Sequence, residues 1–405
     1  MSLPSAEGIC VVGAGILGLA LARELGRRHP GLPVTVVEKE REVAAHQSGH
    51  NSCVVHAGLY YEPGSLKATL CRRGGSMLRE YCSEHGIRYD ELGKVVVASS
   101  EAELPALRRI GDRAERNGVP GLRFVDAAGL RELEPWAVGV AALHSPHTAT
   151  VDFPSVCRRL ADDVRDGGGE VLLGQEVEGV RPVGGGVEVS LASGPRRFVA
   201  AVACAGLGSD RVGRRNGAPE PKVRIVPFRG EYWRLRPAAR ERVRGLIYPV
   251  PDPRYPFLGV HLTRRFDGEV LVGPNAVMAL AREGYRWRDV DLGDLADLAR
   301  WPGLWRLARR HWRTGAREMA VSLSKRAFLA SARRYVPSLT MTDLARASAG
   351  VRAQAVDRDG SLVDDFVIDV DGPVVAVRNA PSPAATSSLA IAEYVADRVP
   401  VLGAA

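Results

Sequence analysis

No stretch of the 405-residue sequence approaches the roughly 20 consecutive apolar residues that a membrane-spanning helix needs. The six cysteines are scattered, without a Cys-x-x-Cys pair or another short metal-ligand spacing, and the chain opens without a recognisable signal peptide. We therefore expect reduced thiols in a cytoplasmic protein, rather than a disulfide framework or a cysteine-bound metal. Internal repeats and low-complexity segments are absent as well.

Lysine is also scarce, since only five of the 55 basic residues are lysines. The net charge of +8 thus comes from arginine, without a basic tail or a nucleic-acid-binding motif. We expect no nucleic-acid partner, whereas an anionic substrate is compatible with the charge. A composition of 45% hydrophobic and 25% charged residues is typical of a globular protein, and the length predicts two domains.

The most informative stretch lies near the N-terminus. An apolar run from Ile9 ends in Gly13-x-Gly15-x-x-Gly18, helical periodicity follows at once, and a second β-branched run finishes on Glu38. The first two glycines permit a tight turn and close approach of a pyrophosphate, and Gly18 lets the helix pack on the sheet. Phosphates would lie at the helix N-terminus, and the Glu38 carboxylate would accept a hydrogen bond from a ribose hydroxyl. The pattern predicts a dinucleotide-binding βαβ unit and leaves NAD and FAD open.

The remaining chain shows two kinds of pattern. A polar segment, 44–61, follows the second strand, and a helix is predicted after it with Ser65 as N-cap. Residues 169–173 predict a parallel strand, and 187–191 with 197–203 an antiparallel pair. Between 223 and 272, short β-like runs alternate with Pro and Gly turns, which is typical of an antiparallel sheet. The strands predicted there are 225–228, 231–235, 246–250, 257–262 and 270–273. Helices over 292–334 and a final strand, polar turn and helix over 374–390 complete the prediction.

These segments resemble the D-amino-acid-oxidase-like group of FAD flavoproteins, and within it the L-2-hydroxyglutarate oxidase/dehydrogenase family. The resemblance covers nearly the whole chain. Besides the glycine motif, it is carried by HQSGHNS (46–52), VHAGLYYEPGSLK (55–67), VPFRGEY (226–232), YPVPDP (248–253), GPNA (273–276), SKRAF (324–328), GVRAQ (350–354) and NAPSPAAT (379–386).

The resemblance implies an α/β fold: a Rossmann-like FAD-binding domain with an inserted, largely antiparallel α+β substrate domain. We assign residues 1–85, 146–220 and 336–405 to the FAD-binding domain, and residues 86–145 and 221–335 to the substrate domain. The implied reaction is oxidation of L-2-hydroxyglutarate, or a close 2-hydroxy dicarboxylate, to the 2-oxo acid by hydride transfer to flavin N5. The implied electron acceptor is oxygen or a membrane quinone.

The predicted reaction needs a base for the hydroxyl proton and cations for the carboxylates. Histidine suits a base near neutral pH, and His56 is the candidate; the alternative is that it only packs on or hydrogen-bonds to the flavin. Arg229, Lys325 and Arg352 are the candidate substrate cations, because each lies in a segment that carries the resemblance. A surface or flavin-facing ion pair is the alternative for each. Tyr60 would add a hydroxyl, or form the edge of the core.

FAD contacts are expected along the whole cofactor, whereas no metal is expected, because the histidines of the polar segment lack cysteine or acidic partners. A chain turn at 382–386 would present N–H groups to the isoalloxazine carbonyls. The predicted FAD ligands are Gly13, Gly15, Ile16, Gly18, Glu38, Lys39, Ser48, His50, Asn51, Ser52, Val177, Ala205, Gly206, Gly350, Ser382, Pro383, Ala384 and Thr386.

Two residues depart from the family pattern. Cys53 follows His-Asn-Ser where the family has glycine, and so places a side chain where glycine would leave space next to the flavin. Ala149 similarly stands where glycine is expected. Neither change removes a charged group, but both bear on which substrate is bound.

Other interpretations stay open at this point. The enzymatic alternative is an FAD-dependent amine or amino-acid oxidase, and the non-enzymatic one is a flavin-binding redox partner. The aromatic and basic stretch 305–317 predicts either a solvated helix face or peripheral contact with the inner face of the cell membrane. The oligomeric state is not indicated by the sequence.

Overall fold

A computed structural model of the chain describes residues 6–212, 222–252 and 258–400. The helices are α1 (Ile16–Arg28), α2 (Leu66–Glu84), α3 (Leu104–Arg116), α4 (Ala127–Leu133), α5 (Phe153–Asp166), α6 (Leu292–Ala299), α7 (Pro302–Leu323), α8 (Lys325–Arg333) and α9 (Ser388–Ala396). The strands are β1 (Glu7–Val12), β2 (Val34–Val37), β3 (Val54–Val55), β4 (Tyr89–Glu91), β5 (Lys94–Ala98), β6 (Arg123–Asp126), β7 (Ala141–Ser145), β8 (Ala149–Val151), β9 (Glu170–Leu172), β10 (Val177–Val183), β11 (Gly186–Leu191), β12 (Gly194–Ala203), β13 (Val223–Gly230), β14 (Trp233–Leu235), β15 (Leu246–Pro249), β16 (His261–Arg264), β17 (Val270–Gly273), β18 (Val277–Met278), β19 (Leu344–Arg346), β20 (Gly350–Asp357), β21 (Val367–Asp371) and β22 (Val374–Asn379).

The first sheet is built around β1, in the order β10-β11-β12-β1-β2-β9. β1 runs parallel to β2 and β12, β2 runs parallel to β9, and β22 runs parallel to the C-terminal end of β12. Every residue of β2 is buried, as are the last five of β1, because a parallel sheet is covered on both faces. The predicted βαβ unit, the parallel strand at 169–173 and the antiparallel pair formed by β11 and β12 are confirmed.

Helix α1 covers this sheet together with α5 and α9, which both pack against it. The contact is close at the start of α1, where a Cβ at Gly18 would lie 1.9 Å from the carbonyl oxygen of Gly13. Ser65 caps α2 as predicted, since its hydroxyl accepts a hydrogen bond from the N–H of Ala68 at 3.2 Å. The N-terminal and C-terminal portions of the chain therefore share one core.

The second sheet has the order β19-β14-β17-β16-β15-β5-β7-β6, and all its pairs are antiparallel except β15 with β5. Smaller sheets, β18-β13-β20 and β3-β8-β4, accompany it. The expectation of an α/β fold combined with a largely antiparallel sheet is confirmed. The predicted strand 257–262 lies partly outside the described residues, and its described part begins as β16 at His261.

The domain boundaries stay a prediction. β19 and β20 lie within 336–405, the segment assigned to the FAD-binding domain, yet they hydrogen-bond to β14 and β13 of the 221–335 segment. Within the described ranges, no helix is both long and apolar enough to cross a membrane.

Candidate active site

A cavity of about 1450 Å³ opens at the carboxyl ends of β1 and β12 and extends to the antiparallel sheet. Its lining includes Gly13 and Glu38, which follow strands of the first sheet, and Tyr248 and His261 from the antiparallel sheet, together with His56. Pockets for a single drug-sized ligand usually measure about 300–1,000 Å³. The volume therefore leaves room for a dinucleotide and a small substrate together.

The turn between β1 and α1 is shaped for an anion. Gly13 has φ of +104°, and a Cβ there would lie 2.6 Å from the carbonyl oxygen of Cys204. Gly15 is the N-cap of α1, without a side-chain cap and without an acidic residue in the first turn. The hydroxyl of Ser48 accepts from the N–H of Ile16 at 3.0 Å. This helix N-terminus therefore offers N–H groups and a positive dipole to a pyrophosphate.

Glu38 is fixed where a ribose would lie. Its Oε2 accepts from the N–H of Ala14 at 2.7 Å, and its Oε1 accepts from the N–H of Glu40 at 3.0 Å. Each carboxylate oxygen keeps a second lone pair for a ribose hydroxyl. Lys39 also faces the cavity, and its ammonium is held by ion pairs to Glu283 and Glu40.

The polar segment after β2 is held by its own side chains. The Asn51 amide donates to the carbonyl of Ser48 at 2.8 Å, while its oxygen accepts from the N–H of Cys53 at 2.7 Å. Gln47 accepts from the N–H of Ala353 at 3.1 Å, which ties the segment to β20. These bonds preorganise the middle of the cavity before any ligand binds.

Cys53 has φ of +64°, the left-handed region that favours glycine, and its side chain is buried. This conformation therefore carries backbone strain, of about 1–2 kcal/mol for a residue with a Cβ. Ala149 instead sits in β8 with its methyl group buried, and is paired in register with Val55.

Replacing Cys53 tests this strain. Cys53→Ala removes the buried thiol and keeps the Cβ, whereas Cys53→Gly removes both. We expect the glycine variant to be more stable than the alanine variant by about 1 kcal/mol, measured by urea unfolding. The reverse order of the two variants would show that the backbone at this position is unstrained.

His56 follows β3 directly and lines the same cavity as Gly13. Its N–H donates to the hydroxyl of Thr386 at 3.0 Å, and its Nε2 lies 3.4 Å from the hydroxyl of Ser382. The half-buried imidazole therefore contacts the C-terminal turn, 326 positions further along the chain. The structure thus brings together the two segments between which the reactive end of the cofactor is predicted.

The surroundings of His56 are positively charged. Burial and the neighbouring positive groups hold the pKa of His56 well below its usual range. Burial lowers this pKa most, and the next largest effects come from Lys94, His261, Lys67 and Arg352, in that order. The imidazole is therefore neutral at neutral pH and able to accept a proton.

His261 and Tyr248 also line the cavity, and neither was predicted from the sequence to be a site residue. Their rings stack with centroids 3.9 Å apart. The Nδ1 of His261 donates to the carbonyl of Gly259 at 2.9 Å, which leaves Nε2 as an acceptor. Burial lowers the pKa of His261 to about 3, so this ring is also neutral.

Lys67 lines the cavity too, although it is not among the site residues predicted from the sequence. Its Nζ donates to the carboxylate of Asp364 at 2.7 Å, and the Asp364 side chain is almost fully exposed. It also lies over the ring of Tyr61, 5.2 Å from the centroid. Lys67 is thus a cation whose present partner faces solvent.

Two predicted substrate ligands lie elsewhere. Arg229 is buried over the ring of Trp287, 4.0 Å from the centroid, and Lys325 donates to the carbonyl of Leu344 at 2.8 Å. Neither is among the residues that line the cavity, whereas Arg352 and Tyr60 are. Cross-strand pairing explains the contrast: Arg352 is opposite Phe228, so Arg229, the next residue on β13, points to the other face. Arg229 and Lys325 are therefore not carried into the proposal below.

The predicted FAD ligands are almost all at the cavity. Gly18 is the exception, since it packs α1 against the turn at Gly13. Those that line the cavity are Gly13, Gly15, Ile16, Glu38, Lys39, Ser48, His50, Asn51, Ser52, Val177, Ala205, Gly206, Gly350, Ser382, Pro383, Ala384 and Thr386. Their contacts with FAD stay a prediction.

Known proteins match both the sequence and the fold. Residues 8–398 match the model of the FAD dependent oxidoreductase family. The chain is 46% identical to the mitochondrial L-2-hydroxyglutarate dehydrogenase of Nematostella vectensis, over 96% of this chain and 90% of that protein. It is 45% identical to the human mitochondrial L-2-hydroxyglutarate dehydrogenase, over 98% of this chain and 89% of that protein. The FAD-bound L-α-glycerophosphate oxidase of Mycoplasma pneumoniae shares the fold, with a TM-score of 0.75 and 21% sequence identity. The match covers 96% of this chain and 93% of that chain.

Proposed function

The chain belongs to the L-2-hydroxyglutarate dehydrogenase family of FAD-dependent oxidoreductases, and we propose that it oxidises L-2-hydroxyglutarate to the 2-oxo acid. FAD is the cofactor, and when bound it would supply the two-electron oxidant for the carbon–hydrogen bond at C2 of the substrate. The turn at Gly13, the N-terminus of α1 and the Glu38 carboxylate fit the diphosphate and ribose of this cofactor.

The single observation that supports this substrate is a neutral base surrounded by cations. Lys67 and Arg352 line the cavity, and their charges act on His56. A 2-hydroxy dicarboxylate has two negative charges that these cations attract. An amino acid would instead bring an ammonium group to the reacting carbon, where the same cations repel it. The charge pattern therefore favours a hydroxy acid over an amine.

His56 is proposed as the base that takes the hydroxyl proton. The hydroxyl of Ser382 and the backbone contact to Thr386 hold the imidazole in place. Binding of a dianionic substrate adds negative charge beside His56 and so raises its pKa from the depressed value of the free site. The ring thereby becomes a stronger base when substrate is present.

Arg352 is proposed to bind the C1 carboxylate, since its planar guanidinium fits a carboxylate with two parallel hydrogen bonds. Tyr60 also lines the cavity, with its hydroxyl buried in the wall.

Anaerobic reduction of the bound flavin tests the proposal. L-2-hydroxyglutarate is expected to bleach the visible flavin absorbance, and L-glutamate, which has the same carbon chain, is not. Bleaching by L-glutamate but not by the hydroxy acid would make the protein an amino-acid oxidase. A stable FAD complex that neither compound reduces would make it a redox partner without a small substrate of its own.

We also propose that α7 rests on an anionic membrane surface and that a lipid-soluble quinone accepts the electrons there. Trp305 and Trp312 lie seven residues apart with their side chains about 60% exposed, and Leu323 is exposed further along the helix. The helix carries five arginines and one glutamate. Exposed tryptophan beside arginine is the composition of a helix that lies in the interface of an anionic bilayer. The inner face of the cell membrane is the location that this would require.

Vesicle binding tests the role of α7. The native protein is expected to co-sediment with vesicles of phosphatidylcholine and phosphatidylglycerol more than with phosphatidylcholine alone, and less as salt is raised. Trp305→Ser/Trp312→Ser is expected to weaken this binding about tenfold, because two apolar side chains no longer enter the interface. Trp136→Ser, which alters an exposed tryptophan outside α7, is the matched control. Equal binding to both kinds of vesicle would contradict the proposal.

A further inference from the structure

Lys94 is a charged residue in an otherwise apolar strand. All five residues of β5 are buried, and the Lys94 side chain is only 1% exposed. Its Nζ has no hydrogen-bond acceptor among the described residues. Lysine is almost never fully buried without a partner, because desolvation disfavours the charge. This position therefore calls for an explanation beyond packing.

Two tyrosine rings separate Lys94 from the cavity. Nζ lies 4.4 Å from the ring centroid of Tyr248 and 5.3 Å from that of Tyr60, and both tyrosines line the cavity. The hydroxyl of Tyr60 is buried and likewise has no hydrogen-bond partner in the described part of the chain. Among the described residues, the ammonium is thus held by the faces of two rings that form part of the cavity wall.

The groups around this ammonium do not neutralise it. The Cys71 thiol on α2 has a pKa raised to about 12 by burial, and burial also raises the pKa of the Tyr60 and Tyr248 hydroxyls. His56 and His261 have lowered pKa values, so both are neutral at pH 7. Burial lowers the pKa of Lys94 itself only to about 8, so the ammonium is still mostly charged at neutral pH.

The positive charge of Lys94 acts electrostatically on groups that lie in the cavity next to Tyr60 and Tyr248. The charge of Lys94 is the largest charged influence on His56, and it also acts on His261. No water layer screens it, because it is buried, so its attraction for an anion in the cavity is stronger than that of a surface lysine. Lys94 would therefore attract an anionic ligand group that lies on the cavity side of the two tyrosines.

We propose that Lys94 is a positioning residue that selects substrates with a second carboxylate, which it attracts across the Tyr60–Tyr248 pair. This inference rests on the proposed function and names the basis of its selectivity. Arg352 serves the carboxylate that every 2-hydroxy acid carries, and Lys94 serves the carboxylate at the far end of the chain. A 2-hydroxy acid with an uncharged end gains nothing from the buried cation.

The test compares L-2-hydroxyglutarate with L-2-hydroxypentanoate, which has the same five carbons but a methyl group in place of the second carboxylate. For the native holoenzyme, kcat/KM is expected to favour the dicarboxylate. In Lys94→Met this preference is expected to fall by a factor on the order of 50, mostly through KM. Lys222→Met removes an exposed lysine and the same net charge, and is expected to keep the native preference.

The pH dependence separates this role from a structural one. In the native enzyme the preference for the dicarboxylate is expected to decline as pH rises through about 8, because Lys94 then loses its proton. In Lys94→Met the preference is expected to be independent of pH in that range. Lys94→Gln repeats the comparison with a polar, uncharged side chain if the methionine variant does not bind FAD.

Ligand binding supplies a readout without turnover. Glutarate is expected to raise the Tm of the native holoenzyme more than pentanoate does, and Lys94→Met is expected to lose that difference. A native enzyme that oxidises L-2-hydroxyglutarate, with an unchanged preference in both Lys94 variants, overturns the role of Lys94 alone. A native enzyme that oxidises neither hydroxy acid overturns the proposed function, and the glutarate shift still reports on Lys94.

Discussion

His56→Gln is expected to slow anaerobic flavin reduction by L-2-hydroxyglutarate by a factor on the order of 10²–10⁴, the usual contribution of a positioned general base. Glutamine fills similar space and can still hydrogen-bond to Ser382, but it cannot take a proton. FAD is therefore expected to stay bound, and the affinity for glutarate is expected to change little. The loss should appear in the limiting rate of reduction at saturating substrate.

The pH profile gives this prediction a second readout. Because the imidazole must be neutral to accept a proton, kcat/KM of the native enzyme falls as pH drops through the pKa of His56, which lies well below 6.5 in the free site. We expect no such decline in His56→Gln. His147→Gln, which changes an exposed histidine before β8, is the control and should match the native enzyme. Less than a tenfold loss of rate in His56→Gln would make this residue a flavin contact only.

Lys94→Met is expected to raise the free energy of unfolding of the FAD-free protein by about 2–3 kcal/mol at pH 7. Burial lowers the pKa of Lys94 from 10.5 to about 8, and one pKa unit corresponds to about 1.4 kcal/mol. Methionine loses the contact of the ammonium with the Tyr248 ring, but its sulfur also packs well on aromatic rings. The change thus removes most of the cost of burying a charge.

The sign of this effect depends on pH in a defined way. The folded-state pKa of Lys94 lies below the unfolded value, so between about pH 8 and 10.5 the unfolded chain binds more protons and native stability rises with pH. The advantage of methionine is therefore full below pH 8 and shrinks above it. Urea unfolding at pH 7 and pH 10 measures the difference. Lys222→Met is expected to change stability by less than about 0.5 kcal/mol, and a destabilised Lys94→Met would contradict the argument.

The parts of the fold that could be predicted from sequence are those with local causes. The glycine turn, the buried strands on either side of it and Glu38 follow one another within 30 residues, and each has a physical reason readable from its neighbours. The cap at Ser65 is local in the same way. Cys53 stands where the resemblance predicts a glycine, and its φ of +64° lies in the region that glycine adopts without strain.

The parts of the site that could not be predicted depend on pairing between distant strands. Arg229 and Arg352 look equivalent in the sequence, but the register of β13 against β20 puts them on opposite faces. His261 and Tyr248 come to the cavity because β15 and β16 pair beside β5. Lys94 did carry a local signal, since a lysine is the first residue of the otherwise apolar and fully buried strand Lys94–Ala98.

The contact between His56 and Ser382 has a consequence for biosynthesis. β22 and α9, which flank Ser382, pair with β12 and pack on α1, so the nucleotide-binding sheet that begins at β1 is completed only by the last strand and helix of the described chain. On the ribosome, the N-terminal half emerges first and cannot close this sheet by itself. Flavin loading therefore has to follow synthesis of β22 and α9, and a nascent chain arrested before β22 should carry no flavin.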